Sequence, residues 1–206
     1  MVAFDTNSTS GDEHVELVSL PAHNYQSALN AYKRIAEYTS KAKKSIYFLD
    51  GGSLRRHVES LRFSKKVSRS VARQNFFKGI MAKIGLTEGL EYQAIFQVPK
   101  NESLRLILRS DIPLLDHAWN LSLLSNNDPN CSLRTCWPCS GQSFMIIDRL
   151  YLISLLDTDD TREGKYYLEA FEIRKDASGK SIIPYLNKFL NYRKRSKIIT
   201  PELFYE

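Results

Sequence analysis

A helix that leads directly into a short buried strand is the pattern that most restricts the fold of this chain. Apolar side chains recur at steps of three and four residues over residues 25–42, which predicts an amphipathic helix. A basic turn follows, and then the apolar run of residues 46–49, which ends at Asp50 and two glycines. An apolar run this short, bounded by turn residues, is typical of a buried strand. The order helix, turn, strand therefore predicts an α/β protein built on a sheet.

The same alternation continues along the chain. Further helices are predicted at residues 64–84, 114–124 and 182–192, and further strands at residues 92–98, 104–108, 144–147, 151–156 and 166–173. The two strands at 144–147 and 151–156 are close enough to form a hairpin. We predict one α/β domain over residues 21–206, with a mixed sheet flanked by helices, preceded by a flexible polar lead over residues 1–20.

Composition excludes two classes of protein. Hydrophobic residues make up 43% of the 206 residues, which is too high for a disordered chain. No apolar run approaches the roughly 18 to 20 residues that span a bilayer. The polar, acidic first residues lack the basic and apolar parts of a secretory signal. Three clustered cysteines indicate no disulfide framework. These features predict an intracellular protein, located in the cytoplasm.

Positive charge is concentrated between residues 55 and 83. This segment holds nine Lys or Arg residues and one acidic residue, Glu59, so its net charge of +8 exceeds the +6 of the whole chain. The residues predicted to contact phosphate form the basic segment: Arg55, Arg56, Arg62, Lys65, Lys66, Arg69 and Arg73. Four of them, here called the basic stripe, are spaced four, three and four residues apart: Arg62, Lys66, Arg69 and Arg73. On a helix they form one row, and we expect Val67, Val71, Phe77 and Ile80 on other faces.

Such a row suits a series of phosphates, because each neutralised phosphate releases counterions and adds to affinity. Arginine can also bind a phosphate with two parallel hydrogen bonds. The basic segment therefore predicts binding of nucleic acid, with DNA preferred, or of another polyanion. The alternative is a solvated helix face, paired with the acidic residues of the segment 157–163.

The three cysteines are the candidate metal ligands. Cys136 and Cys139 have the C-x2-C spacing that lets two thiolates bind one zinc ion, Cys131 is a possible third ligand, and His117 is the nearest histidine. The alternative is three small buried or loop thiols.

No complete catalytic motif is present. The four histidines stand in unrelated contexts, and the chain has neither a serine elbow nor a glycine-rich phosphate loop. We therefore expect no catalytic residues and no cofactor. Asp50 follows a predicted strand, where α/β enzymes often place functional groups, although aspartates are also common at such turns.

Two stretches resemble the phospholipase D-like superfamily. Residues 141–153, reading GQSFMIIDRLYLI, resemble the strand pair of that fold, and residues 25–49 resemble its opening helix and strand. In that family a histidine, a lysine two residues later and an aspartate five further on precede this strand pair. Here the three positions hold Gly141, Ser143 and Asp148.

The resemblance implies the fold without the chemistry. Glycine cannot form a phospho-enzyme, and serine cannot supply a cationic clamp on a phosphoryl group. Asp148 is then expected to be structural, capping the hairpin turn. Single-copy members of the family pair as homodimers, so the resemblance also implies a homodimer.

Three functional hypotheses follow. The preferred one is a non-catalytic, phospholipase D-like binding or regulatory module that contacts nucleic acid. The second is a metal-dependent phosphodiesterase or nuclease that uses Asp50, Asp111 and Asp148 around a divalent ion. The third is a ligand- or protein-binding sensor domain that makes no contact with nucleic acid.

Overall fold

A computed structural model describes residues 15–21, 25–50, 67–97, 112–136, 142–158 and 168–204. The strands are β1 (Val15–Pro21), β2 (Ser45–Asp50), β3 (Glu91–Gln97), β4 (Cys131–Cys136), β5 (Ser143–Ile147), β6 (Tyr151–Thr158), β7 (Leu168–Asp176) and β8 (Lys197–Ile198). The helices are α1 (Tyr25–Ser40), α2 (Val67–Leu86), α3 (Ile112–Ser125) and α4 (Ile183–Arg195), followed by a 3₁₀ turn at Pro201–Phe204.

All eight described strands form one sheet, in the order β1-β7-β6-β5-β2-β3-β4-β8. β2, β3 and β4 run parallel to each other, whereas every other neighbouring pair is antiparallel. The predicted mixed sheet flanked by helices is therefore confirmed.

The sheet carries a hydrophobic core on each face. On one face Ile35 of α1, Phe77 of α2 and Leu121 of α3 join a single buried cluster. On the other face Phe189 of α4 lies in a separate buried cluster with Leu49 of β2. Because successive strand residues point to opposite faces, β2 serves both cores, and its whole length is apolar except at its ends. Among the described helices, none is long and apolar enough to cross a membrane.

Most predicted elements agree with the structure, although β1, β4 and β8 were not predicted. The predicted helices at 25–42, 114–124 and 182–192 correspond to α1, α3 and α4, and the predicted hairpin corresponds to β5 and β6. The predicted strand at 104–108 lies outside the described residues. Residues 15–20, predicted to belong to the flexible lead, instead form most of β1, because they pair along their length with β7. The division into a lead and one domain otherwise stays a prediction.

The turn before α4 is fixed by one carboxylate. Asp176, at the end of β7, is buried, and it accepts backbone N–H groups from Ser178, Gly179 and Ser181 at 2.9, 3.0 and 2.7 Å. The hydrogen bonds from Ser178 and Ser181 hold the pKa of this carboxyl well below its ordinary value. The direction in which α4 leaves the sheet is therefore set by a charged hydrogen-bond acceptor.

Candidate nucleic-acid interface

The basic segment is only partly within the described structure. Arg55, Arg56, Arg62, Lys65 and Lys66 lie outside the described residues. Arg69 and Arg73 belong to the first two turns of α2. The part of the chain that the structure describes therefore does not test the predicted contacts, which stay a prediction.

The register of α2 corrects one expectation about the basic stripe. Phe76, Phe77 and Ile80 are buried in the core below α2. Phe77 follows Arg73 by four residues and Ile80 follows it by seven, spacings that lie on one face of an α-helix. The expectation that Phe77 and Ile80 take other faces than the stripe is therefore wrong. From Phe76 onward this face of α2 packs in the core.

The sequence reasoning missed a second cationic region at the end of α4. Residues 177–200 contain six Lys or Arg residues and no acidic residue, a net charge of +6. Four cations at this end of α4 and on the neighbouring strand β4 form what we call the α4 cationic surface: Arg134, Arg193, Lys194 and Arg195. Lys194 and Arg195 are exposed, and Arg134 and Arg193 are partly buried. The sequence feature that could have revealed this region is the run Arg-Lys-Arg at residues 193–195, in a segment without acidic residues.

The carboxyl ends of the parallel strands bring polar side chains together. Asp50 of β2, Gln97 of β3 and Ser143 of β5 are all buried at this edge. The Ser143 hydroxyl donates a hydrogen bond to the Asp50 carboxylate, with Oγ and Oδ1 3.2 Å apart. Ser143 stands at the position where the phospholipase D-like pattern has its lysine. This position therefore holds a buried neutral group that bonds a carboxylate.

Asp148 lies at the opposite edge of the sheet and has a structural role. Its Oδ1 accepts the backbone N–H groups of Lys44 and Ser45 at 2.8 and 2.9 Å, and its Oδ2 accepts that of Lys43 at 2.8 Å. The predicted structural role is confirmed. Its partner differs from the expected one, however, since Asp148 caps the turn between α1 and β2 and not its own hairpin turn.

This placement rules out the predicted metal site made from Asp50, Asp111 and Asp148. Ser143 stands opposite Asp50, and Asp148 follows Ser143 by five residues along and just past β5, a separation of roughly 16 Å. Two carboxylates that share one ion lie within about 5 Å of each other. Asp50 and Asp148 therefore cannot share an ion, so that set is wrong; Asp111 lies outside the described residues.

A zinc site that uses Cys131 and Cys136 together is also wrong, whereas the predicted Cys136–Cys139 pair stays a prediction. Cys131 and Cys136 are the first and last residues of β4, roughly 16 Å apart along the strand, whereas two sulfurs on one zinc lie within about 5 Å. Burial and the Asp128 carboxylate raise the pKa of the Cys131 thiol to about 11. His117, the suggested fourth ligand, is a core residue whose Nε2 lies 2.9 Å from the hydroxyl oxygen of Tyr92. Cys139 lies outside the described residues.

Comparison with known proteins gives similarity in structure alone. No protein-family model and no curated protein sequence matches the chain. Nuc from Salmonella typhimurium, a phospholipase D family member, superposes with a TM-score of 0.54 at 14% identity, over 92% of this chain and 99% of Nuc. NucT from Helicobacter pylori superposes with a TM-score of 0.52 at 13% identity, over 91% of this chain and all of NucT.

A third similar structure is TrmBL2, an archaeal chromatin protein whose structure shows a mode of DNA binding. Its TM-score is 0.52 at 16% identity, over 91% of this chain, which spans only 54% of TrmBL2. Structural similarity at such low sequence identity shows a common fold but does not establish a common activity. With its mixed sheet, its parallel β2–β4 unit and these three likenesses, the chain has the phospholipase D-like fold.

Proposed function

We propose that this chain is a non-catalytic phospholipase D-like module that binds nucleic acid, with DNA the preferred partner. The observation that carries the proposal is the charge of residues 55–83, +8 with a single acidic residue. Such a density of Lys and Arg provides the sequence-independent part of nucleic-acid affinity. TrmBL2, whose structure shows a mode of DNA binding, supports the same role, because about half of it superposes on this chain.

The proposal that the module is non-catalytic rests on the residues at the family's catalytic positions. Gly141 offers no side chain, and Ser143 is neutral, buried and bonded to Asp50. Neither residue is a cation that could stabilise charge on a transferring phosphoryl group. The basic segment is proposed to make the contacts, through Arg55, Arg56, Arg62, Lys65, Lys66, Arg69 and Arg73, the last two from the part of α2 before Phe76.

A titration of labelled duplex DNA at 50 and 200 mM salt, with and without magnesium, tests both parts of the proposal. With seven phosphate contacts, the affinity should fall at least about a thousandfold between the two salt concentrations. The DNA should stay intact in magnesium. An affinity that does not respond to salt would contradict the polyanion interface. Cleavage that a chelator stops would support a metal-dependent nuclease instead.

We also propose that two copies pair as a homodimer, in keeping with single-copy members of the family. Pairing would present two basic segments to one polyanion and increase the salt dependence of binding. Sedimentation equilibrium should give a mass near twice the 23.7 kDa of the chain. A mass equal to that of one chain at every concentration tested would contradict the dimer.

A further inference from the structure

The α4 cationic surface lies on the other side of the sheet from α2. α2 belongs to the core cluster that also contains α1 and α3. α4 belongs to the second cluster, together with the opposite-facing side chains of β2, β3 and β5. The described part of α2 from Phe76 onward and α4 are therefore separated by the thickness of the sheet.

Arg134 is hydrogen-bonded to the residue that follows α4. Its Nε donates to the hydroxyl of Ser196 at 2.8 Å, and its guanidinium also donates to the Ser196 carbonyl oxygen at 3.4 Å. The Ser196 hydroxyl in turn donates to the carbonyl oxygen of Arg193 at 2.7 Å. The Arg134 guanidinium is thus held in place at the junction of α4 and β8.

Two cations of this surface, Arg134 and Arg193, lie near each other. Partial burial and the positive charge of Arg193 lower the pKa of Arg134, as expected when like charges lie near each other. Within the described ranges, none of the four cations of this surface forms an ion pair with a described carboxylate. Like charges gathered without a neutralising group create a positive potential that attracts anions.

The helix dipole explains only part of this charge. Cations in the last turn of a helix are stabilised by its negative end, which applies to Arg193, Lys194 and Arg195. Arg134 lies on β4 instead. Its side chain is on the same face of the sheet as that of Cys136, two residues later, which belongs to the core cluster of α4. The surface therefore extends over two elements, α4 and β4.

We infer that the α4 cationic surface is a second phosphate-binding surface, which contacts the backbone of nucleic acid. This inference deepens the proposed function and rests on it. A lipid bilayer fits less well, because a helix that binds a membrane buries a continuous apolar face in it. Most of the apolar face of α4 is already used: the ring of Phe189 lies 5.2 Å from that of Tyr47, and Tyr185 lies 5.4 Å from Phe144. Two apolar side chains of α4 are exposed, Ile183 and Leu190, which do not form a continuous face.

The test compares two variants that each lose four positive charges. The α4 variant carries Arg134→Gln, Arg193→Gln, Lys194→Gln and Arg195→Gln. The control variant carries Lys33→Gln, Lys41→Gln, Lys43→Gln and Lys44→Gln, all at exposed side chains of α1 and the turn after it. Binding of labelled duplex DNA is measured between 50 and 200 mM salt. We expect the α4 variant to flatten the dependence of log affinity on log salt by about two to four units, and the control by less than about one.

Two further measurements make failure of this inference distinguishable from failure of the proposed function. A variant with the basic stripe replaced by alanine is titrated in parallel, and circular dichroism checks that each variant folds. If the α4 variant keeps the wild-type slope while the stripe variant loses it, the second surface is wrong and the proposed function stands. If no variant changes the slope, both are wrong. Binding to acidic phospholipid vesicles that depends on α4, without binding to DNA, would overturn the inference in favour of a membrane surface.

Discussion

Replacing the whole basic stripe with alanine is expected to lower the affinity for duplex DNA about a thousandfold at 0.1 M salt. Each contact between a cation and a phosphate contributes about 0.9 to the slope of log affinity against log salt. Four lost contacts should therefore flatten that slope by three to four units. Fluorescence anisotropy with a labelled duplex, at four or more salt concentrations, measures both quantities in one experiment.

Lys78 offers a matched control on the same helix. It is exposed, and it lies two residues from Phe76 and from Ile80, hence on the side of α2 away from the sheet. Lys78→Ala should change the slope by less than about one unit. A stripe variant that folds and keeps the wild-type slope would exclude the stripe as the interface. The sensor hypothesis, in which nucleic acid is not bound, predicts that outcome.

The central strands were predictable because they are apolar on both faces. Residues 46–49 and 144–147 are short apolar runs, and their strands β2 and β5 lie in the middle of the sheet, with helices covering both sides. Strands buried on both faces read as continuous hydrophobic runs. The hairpin between β5 and β6 could be predicted for the same reason.

The strands near the two edges could not be found in this way. β1 reads VELVSLP, and its outermost position in the sheet leaves Glu16, Leu17 and Ser19 exposed. β4 reads CSLRTC, and its polar side chains include Ser132 and Arg134 on the face that carries α4. For such segments strand formation depends on the neighbouring strand more than on local preference. Residue pattern alone does not supply that neighbour.

Part of the candidate site could be predicted from the sequence. The spacing of four and seven residues from Arg73 to Phe77 and Ile80 is a property of the sequence itself, and it indicates a shared helix face. The run of three basic residues at the end of α4, in a segment without acidic residues, is a second feature that the sequence shows directly. By contrast, the hydrogen bonds of Asp148 join residues 103 to 105 positions apart, a contact that only the folded sheet defines.

Asp148→Ala is expected to lower the free energy of unfolding by about 4 kcal/mol. Three backbone N–H groups lose a charged acceptor, which costs about 3 kcal/mol in a partly exposed site. Asp148 also has a φ of 54°, a left-handed conformation that costs alanine about 1 kcal/mol more. Asp148→Gly removes the carboxylate but tolerates the positive φ, so it should cost about 3 kcal/mol. The difference between the two variants measures the backbone strain.

Arg149 provides the control for this turn, because it has a φ of 58° and an exposed side chain. Arg149→Gly should change the free energy of unfolding by less than about 1 kcal/mol. Urea denaturation of all three variants measures these values, and DNA titration of the folded protein should give the wild-type affinity for each. If Asp148→Gly unfolds at the wild-type urea concentration, the carboxylate does not hold the α1–β2 turn. If Asp148→Gly is as stable as the wild-type chain but lacks a nuclease activity that the wild-type chain shows, Asp148 has a catalytic role. Its three hydrogen bonds with backbone N–H groups do not account for such a role.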